Sequence, residues 1–197
     1  ADHGVLPMPE GEAGRAMKAR RIGWKEIGTR IERVFQDLAP APGRNWLVGN
    51  HLPNIYIDRA LADEKGLDWL PLLRRVAARL KEEPGVEHVY VGGEFDPSGP
   101  YADVFRRSYL PGRSGDLLVL PAYGVLFGDY PGGTSHGTPY EYDTRVPVLF
   151  WGPDFKAGLH AEKARVADIA PTLAALLGLE IKPSEGSQAR LDILTSH

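Results

Sequence analysis

Apolar positions recur at helical spacing in three stretches of the chain. Trp24, Ile27, Ile31, Val34, Phe35 and Leu38 make one stripe, closed by Pro40, Pro42 and Gly43. Leu70, Leu73, Val76, Ala77 and Leu80 make a second, opened by Asp68 as N-cap with Pro71 in the first turn and stopped by Pro84-Gly85. The third runs over residues 165–177, with Val166, Ile169, Leu173, Leu176 and Leu177 expected inward and Gly178 as its stop. Shorter apolar runs at 45–48 and 55–57 flank Gly49-Asn50-His51-Leu52-Pro53 and predict a hairpin. Residues 86–91 are rich in β-branched side chains and predict a strand. The continuous apolar runs at 117–120 and 146–150 predict strands buried on both faces.

These elements imply an organisation. Helix, strand, strand, helix and strand follow one another from 22 to 93, which defines an α+β unit with its own sheet. Residues 5–21 hold Pro7, Pro9, Gly11 and Gly14 beside a basic cluster of Arg15, Lys18, Arg20 and Arg21. They read as a loop whose charges are a solvated face. Residues 124–144 are Gly-rich and too long for a plain connection, as functional loops often are. Residues 181–197 read as a weakly ordered tail, and the sequence contains no internal repeat.

Composition narrows the function classes without choosing among them. The chain has 197 residues, 43% hydrophobic and 25% charged, as in an ordinary globular protein. A net charge of -3 gives no reason to expect nucleic acid or an anionic membrane as partner. No apolar run is long enough to span a bilayer. With no Cys, thiolate metal sites and disulfides are excluded. The chain opens Ala1-Asp2-His3-Gly4, without Met or the basic and apolar regions of a signal peptide, and reads as a cut inside a longer protein.

Two places carry candidate chemistry: Asp2-His3-Gly4, and Gly133-Thr134-Ser135-His136-Gly137-Thr138. Carboxylate oxygen and imidazole nitrogen suit zinc, and glycine beside each His lets the backbone pass close to a metal or phosphate. Neither motif is strong alone. Thr134, Ser135 and Thr138 lack a base positioned by sequence and are expected to structure the loop. His51, His88, His160 and His197 have no ligand spacing and are expected to be turn, sheet-surface or solvated residues.

The order of motifs adds a resemblance. His136-Gly137-Thr138-Pro139-Tyr140-Glu141-Tyr142-Asp143, followed by Thr144 to Pro153 and then by Val166-Ala167-Asp168-Ile169-Ala170-Pro171-Thr172-Leu173, resembles the late metal loop, core strand and helix of the alkaline phosphatase superfamily. Asp2-His3-Gly4 resembles its Asp-His-Gly metal loop. Arg107-Ser108-Tyr109 and Arg113 to Leu117 resemble its PafA-like monoesterase branch, close to the type I phosphodiesterases.

The resemblance implies an α/β fold: the C-terminal part of an alkaline-phosphatase-like core with a smaller α+β subdomain. Its expected layout is a metal-loop segment at 1–21, the subdomain at 22–95, the core part at 96–180 and a tail at 181–197. It implies a two-zinc phosphate-ester hydrolase. Asp2 and His3 would hold the ion that activates the nucleophile, and His136 would hold the other. The implied Ser or Thr nucleophile and an Asp-x-x-x-His pair precede the Asp-His-Gly loop in the family and have no counterpart here, so no catalytic residue is expected in this chain. Three ligands divided between two ions fall short of a catalytic zinc site, and the chain alone is expected to be inactive. The expected partners are a small phosphate-ester substrate and the missing N-terminal half. Self-association through uncovered apolar strands such as 117–120 is also expected, with no nucleic acid or membrane partner. The family implies a periplasmic or secreted location. A phosphodiesterase or nucleotide pyrophosphatase, a sulfatase, or a non-catalytic binding domain of the same fold remains the alternative.

Overall fold

The structure, a computed structural model, describes all residues except 183, 185, 196 and 197, so the assignment of His197 lies outside the described residues. The chain divides into a unit of residues 3–145 and a unit of residues 1–2 with 146–197.

In the larger unit, the stretch expected to be loop forms a short helix, α1 (Glu12–Ala16), and a strand, β1 (Arg20–Ile22). A three-residue strand is too short to show a period, and its parallel partner, β6 (Val125–Phe127), lies far along the chain. Nor is the basic cluster wholly a solvated face. Arg21 keeps only 15% of its side-chain surface exposed. It grips Glu10 with two hydrogen bonds of 2.9 Å and donates to the Gly133 carbonyl at 2.6 Å. That contact holds Glu10 below, and Arg21 above, their ordinary pKa values.

The first apolar stripe becomes α2 (Trp24–Leu38), with Ile27, Ile31, Val34 and Phe35 buried. Its Glu32 carboxylate accepts from the backbone N–H of Trp46 and of Leu47, at 2.9 and 3.0 Å. This fixes where the chain turns from helix into the hairpin of β2 (Leu47–His51) and β3 (Asn54–Ile57). Trp46 is fully buried, stacks on Phe35 at 5.4 Å and donates from its indole to the Ala39 carbonyl. An unexpected helix, α3 (Arg59–Glu64), begins where the Asp58 side chain accepts from the Leu61 N–H. The second stripe becomes α4 (Trp69–Leu80) and buries Leu72, Leu73, Val76, Ala77 and Leu80. Leu70, assigned to that stripe, is instead exposed, and Leu72 faces the core. The two positions flank the stripe of Leu73, Val76, Ala77 and Leu80 on opposite sides of the helix, so the period alone does not choose between them.

The strand expected at 86–91 forms as β4 (Val86–Val91). After α5 (Ala102–Ser108) the run at 117–120 forms β5 (Leu117–Pro121), buried at every position. Sheet order is β2-β3-β5-β4, every neighbour antiparallel. The expectation of an open edge or uncovered face at 117–120 is therefore wrong. β5 is an interior strand, and it joins the same sheet as the hairpin and β4. One face of the sheet packs with α2 and α4 around Leu117 and Val119; the other carries Leu118 and Leu120 against Tyr90, Phe105 and Tyr140. A last short helix, α6 (Glu141–Thr144), ends the unit.

The smaller unit is less regular. Residues 146–150, expected as a buried strand, form no ladder, and Leu149 is 88% exposed. An apolar run becomes a strand only if neighbouring strands satisfy its backbone groups, and among the described residues none pairs with it. The third stripe begins as a 3-10 turn (Val166–Asp168) and continues as α7 (Ile169–Leu176). Its buried residues are Pro171, Thr172 and Ala174, whereas Val166, Leu173 and Leu177 are exposed. Ile169 and Leu176 are half-buried, so the side expected inward is only partly covered. The segment expected to be a loose tail is partly packed: Leu194 is buried and bridges to Phe155, and the buried Arg190 donates twice to Asp192.

Candidate metal centre

The smaller unit contains one group with metal-ligand character. Among the described residues, His160, Glu162 and Asp192 bring ligand atoms within 4.8 Å of one another. Arg190 already occupies the place of a cation there. Its guanidinium bonds Asp192 at 2.8 and 2.7 Å, lies 3.6 Å from Glu162, and holds the Asp192 carboxyl down at about 2. This is an ion-pair cluster.

The larger unit holds the candidate site. Its first residues run beside the Gly-rich loop. The Leu6 N–H donates to the Ser135 carbonyl at 3.3 Å, and the Thr134 hydroxyl donates to the Leu6 carbonyl. The Gly4 N–H donates to the Asp143 carbonyl at 2.7 Å. Only glycine fits at position 4, because a Cβ there would lie 2.1 Å from the Tyr142 carbonyl oxygen. These tethers set the His3 and His136 rings face to face, centroids 3.5 Å apart and planes within 14°. His3 Nδ1 lies 2.8 Å from the Gly4 carbonyl. With the proton on Nδ1 the ring donates there and presents Nε2 as the ligand nitrogen, the usual second contact of a metal-bound imidazole.

The far side of the loop is held by Asp143, 4% exposed. Its Oδ2 accepts from the Thr138 N–H at 2.7 Å and from the Thr138 hydroxyl at 2.6 Å, while Oδ1 is buried without a hydrogen-bond partner. Thr134 and Thr138 thus structure the loop, as expected of them. An open cleft of about 470 Å³ adjoins it, lined by His136 and Ser135 on one side and by Trp24, Leu52, Phe127 and Tyr130 among others. His51, expected to be an inert turn residue, also lines this cleft. Burial raises the Tyr142 phenol above its ordinary pKa, so that wall stays uncharged.

The larger unit brings two of the expected ligands together. His3 and His136 meet; Asp2 falls within the other unit. The donor set suits zinc, since imidazole nitrogen is a preferred ligand and one ring already has its outer hydrogen bond. The half-satisfied buried carboxylate of Asp143 is the kind of group that a nearby cation compensates. Sequence reading missed Asp143, Arg21 and His51. Arg21 carried no local signal, because β1 is too short to show a period and its partner strand lies far along the chain.

No family model matches the chain. It is 28% identical over 215 residues to alkaline phosphatase PhoK of Sphingomonas sp, covering 98% of this chain and 37% of that protein. It is 28% identical over 193 residues to alkaline phosphatase PafA of Elizabethkingia meningoseptica, covering 91% of this chain and 33% of that one. The crystal structure of wild-type PafA superposes with a TM-score of 0.81 at 24% identity, over 98% of this chain and 37% of that chain. A PafA variant structure gives 0.75 at 26% identity, with the same coverage. The chain is alkaline-phosphatase-like in sequence and has the α/β fold of that family. It spans about a third of the length of these relatives.

Proposed function

We propose that this chain is the C-terminal portion of a metal-dependent phosphate-ester hydrolase of the alkaline phosphatase type. The observation that supports the reading best is the stack of His3 on His136, built by backbone tethers between two loops that each carry a His-Gly pair. His3, with Asp2, would hold one zinc ion and His136 a second. Zinc bound there would supply charge for an attacking oxygen and for the phosphoryl oxygens. The chain's own contribution is placement: Gly4, Thr134 and Asp143 fix the loops, and Trp24, Leu52 and Phe127 give the cleft an apolar wall. The Ser or Thr that takes up the phosphoryl group is expected outside these residues. Thr134 and Thr138 have their hydroxyls engaged in loop contacts. In this reading the 197-residue chain is inactive alone, and the longer protein works outside the cytoplasm on small phosphate esters. Among the described residues no helix is long and apolar enough to cross a membrane.

The test compares the 197-residue chain with the full-length gene product on aryl phosphate mono- and diesters, with metal content measured. The full-length protein should bind about two zinc ions and turn over the monoester faster, as two-metal sites allow. The short chain should do neither. Turnover by the short chain that disappears in His136→Ala would mean that a complete site lies within these residues.

A further inference from the structure

We propose that Asp143 is a positioning residue of the metal site, one that supplies buried negative charge to the histidine pair as well as holding the loops. The inference rests on reading His3 and His136 as metal ligands. Three contacts make the clamp. The Asp143 carbonyl receives the Gly4 N–H, next to His3. Its Oδ2 receives both the N–H and the hydroxyl of Thr138, two positions from His136. One residue thereby ties both histidine loops to α6.

The clamp needs only an acceptor oxygen and a main chain. An asparagine side chain would serve it, taking both Thr138 donors on its carbonyl oxygen. The structure instead places a carboxylate here, 4% exposed, with Oδ1 buried and unpartnered. A buried carboxylate oxygen without a donor costs stability, so folding alone does not account for it. Among the described residues, the ion pairs of this unit do not involve Asp143. A cation held by the adjacent imidazoles is the compensation that fits. A carboxylate outside the ligand set would then raise the affinity for a divalent ion through its field and by fixing the ligand loops.

The experiment uses the full-length gene product, with zinc delivered from a chelator buffer. Zinc affinity and metal-free thermal stability are measured for the parent and for Asp143→Asn, Asp143→Ala, His3→Ala and His136→Ala. Asp143→Asn keeps the clamp and removes the charge. It should lower zinc affinity about 10–100-fold, the range for outer-shell partners, while metal-free stability stays level or rises. Asp143→Ala should lower both. Asp143→Asn binding zinc within about twofold of the parent, while His136→Ala loses it, would overturn the charge role and leave only a clamp. If neither histidine variant alters zinc binding, the ligand reading fails and this inference falls with it. Should Asp143→Ala not fold, the near-isosteric Asn variant carries the decision alone.

Discussion

The imidazoles of His3 and His136 stack with centroids 3.5 Å apart, although one lies at the start of the larger unit and the other near its end. Neither ring is deeply buried, so packing alone does not hold them. The holding is done by hydrogen bonds between the loops: Gly4 to Asp143, Leu6 to Ser135, and the Thr134 hydroxyl to Leu6.

Gly4 is the first place to test that geometry. A Cβ would sit 2.1 Å from the Tyr142 carbonyl oxygen, and backbone cannot yield as a flexible side chain does. Gly4→Ala should force the first loop away from α6, break the 2.7 Å bond to Asp143 and cost about 1–3 kcal/mol, as overpacking does. Urea unfolding measures the loss. A second reading comes from the histidine ring protons by NMR, whose mutual ring-current shift should vanish. Unchanged stability together with unchanged shifts would show that the loops are not packed as described.

Glu32 tests the entry to the hairpin. Its carboxylate satisfies the N–H groups of Trp46 and Leu47 and also accepts from Gln36 Nε2 at 2.8 Å. Glu32→Ala strands two backbone donors beside the fully buried Trp46, at about 1–3 kcal/mol for buried groups left without a partner. Chemical denaturation followed by tryptophan fluorescence gives the value. A change under about 0.5 kcal/mol would show that water replaces the carboxylate.

Periodicity revealed the larger unit well because its helices bury their stripes within the unit. α2 and α4 run close to the spans read from Trp24 to Leu38 and from Asp68 to Leu80, and the hairpin turns at Pro53. The same logic failed at residues 146–150 and on α7, where the pattern records a buried environment that these residues do not supply to one another. β1 was illegible because three residues carry no period and its ladder is long-range. In the site, His3 and His136 stood out through their glycine neighbours. Asp143 did not, because its role depends on Thr138 and Gly4 lying against it, which no local spacing records.

The exposed apolar side chains of the smaller unit predict association. Leu149, Trp151 and Leu159 are 88%, 98% and 97% exposed, and Leu173, Leu177 and Leu179 on and after α7 are exposed as well. Where such side chains lie together they favour association with other protein. The 197-residue chain should therefore self-associate as its concentration rises, and the variant combining Trp151→Ser with Leu149→Ser should weaken this without loss of the larger unit's fold. Light scattering against concentration decides it. A monomer at all concentrations with no binding of an apolar dye would remove the prediction.

The smaller unit should also fail first in acid, through Asp168. Its side chain is buried and accepts from the N–H groups of Gln188 at 2.9 Å and Arg165 at 2.8 Å, which ties the chain after α7 to the turn before it. These bonds, that from Gln188 foremost, favour the ionised form and hold the carboxyl below its ordinary value of 3.8. With the folded pKa depressed, the stabilisation is complete above 3.8 and is lost as pH falls through the lower, folded value. Asp168→Asn keeps one acceptor oxygen and loses the other, so one of the two N–H groups goes unpaired, at about 1–3 kcal/mol near neutral pH. The variant's stability should then be flatter than the parent's across the acid range. Hydrogen exchange of the Gln188 and Arg165 amides, followed from pH 7 down to about 2.5, reads both effects. Parent and variant losing protection in parallel as the pH drops would assign the acid sensitivity to other carboxylates.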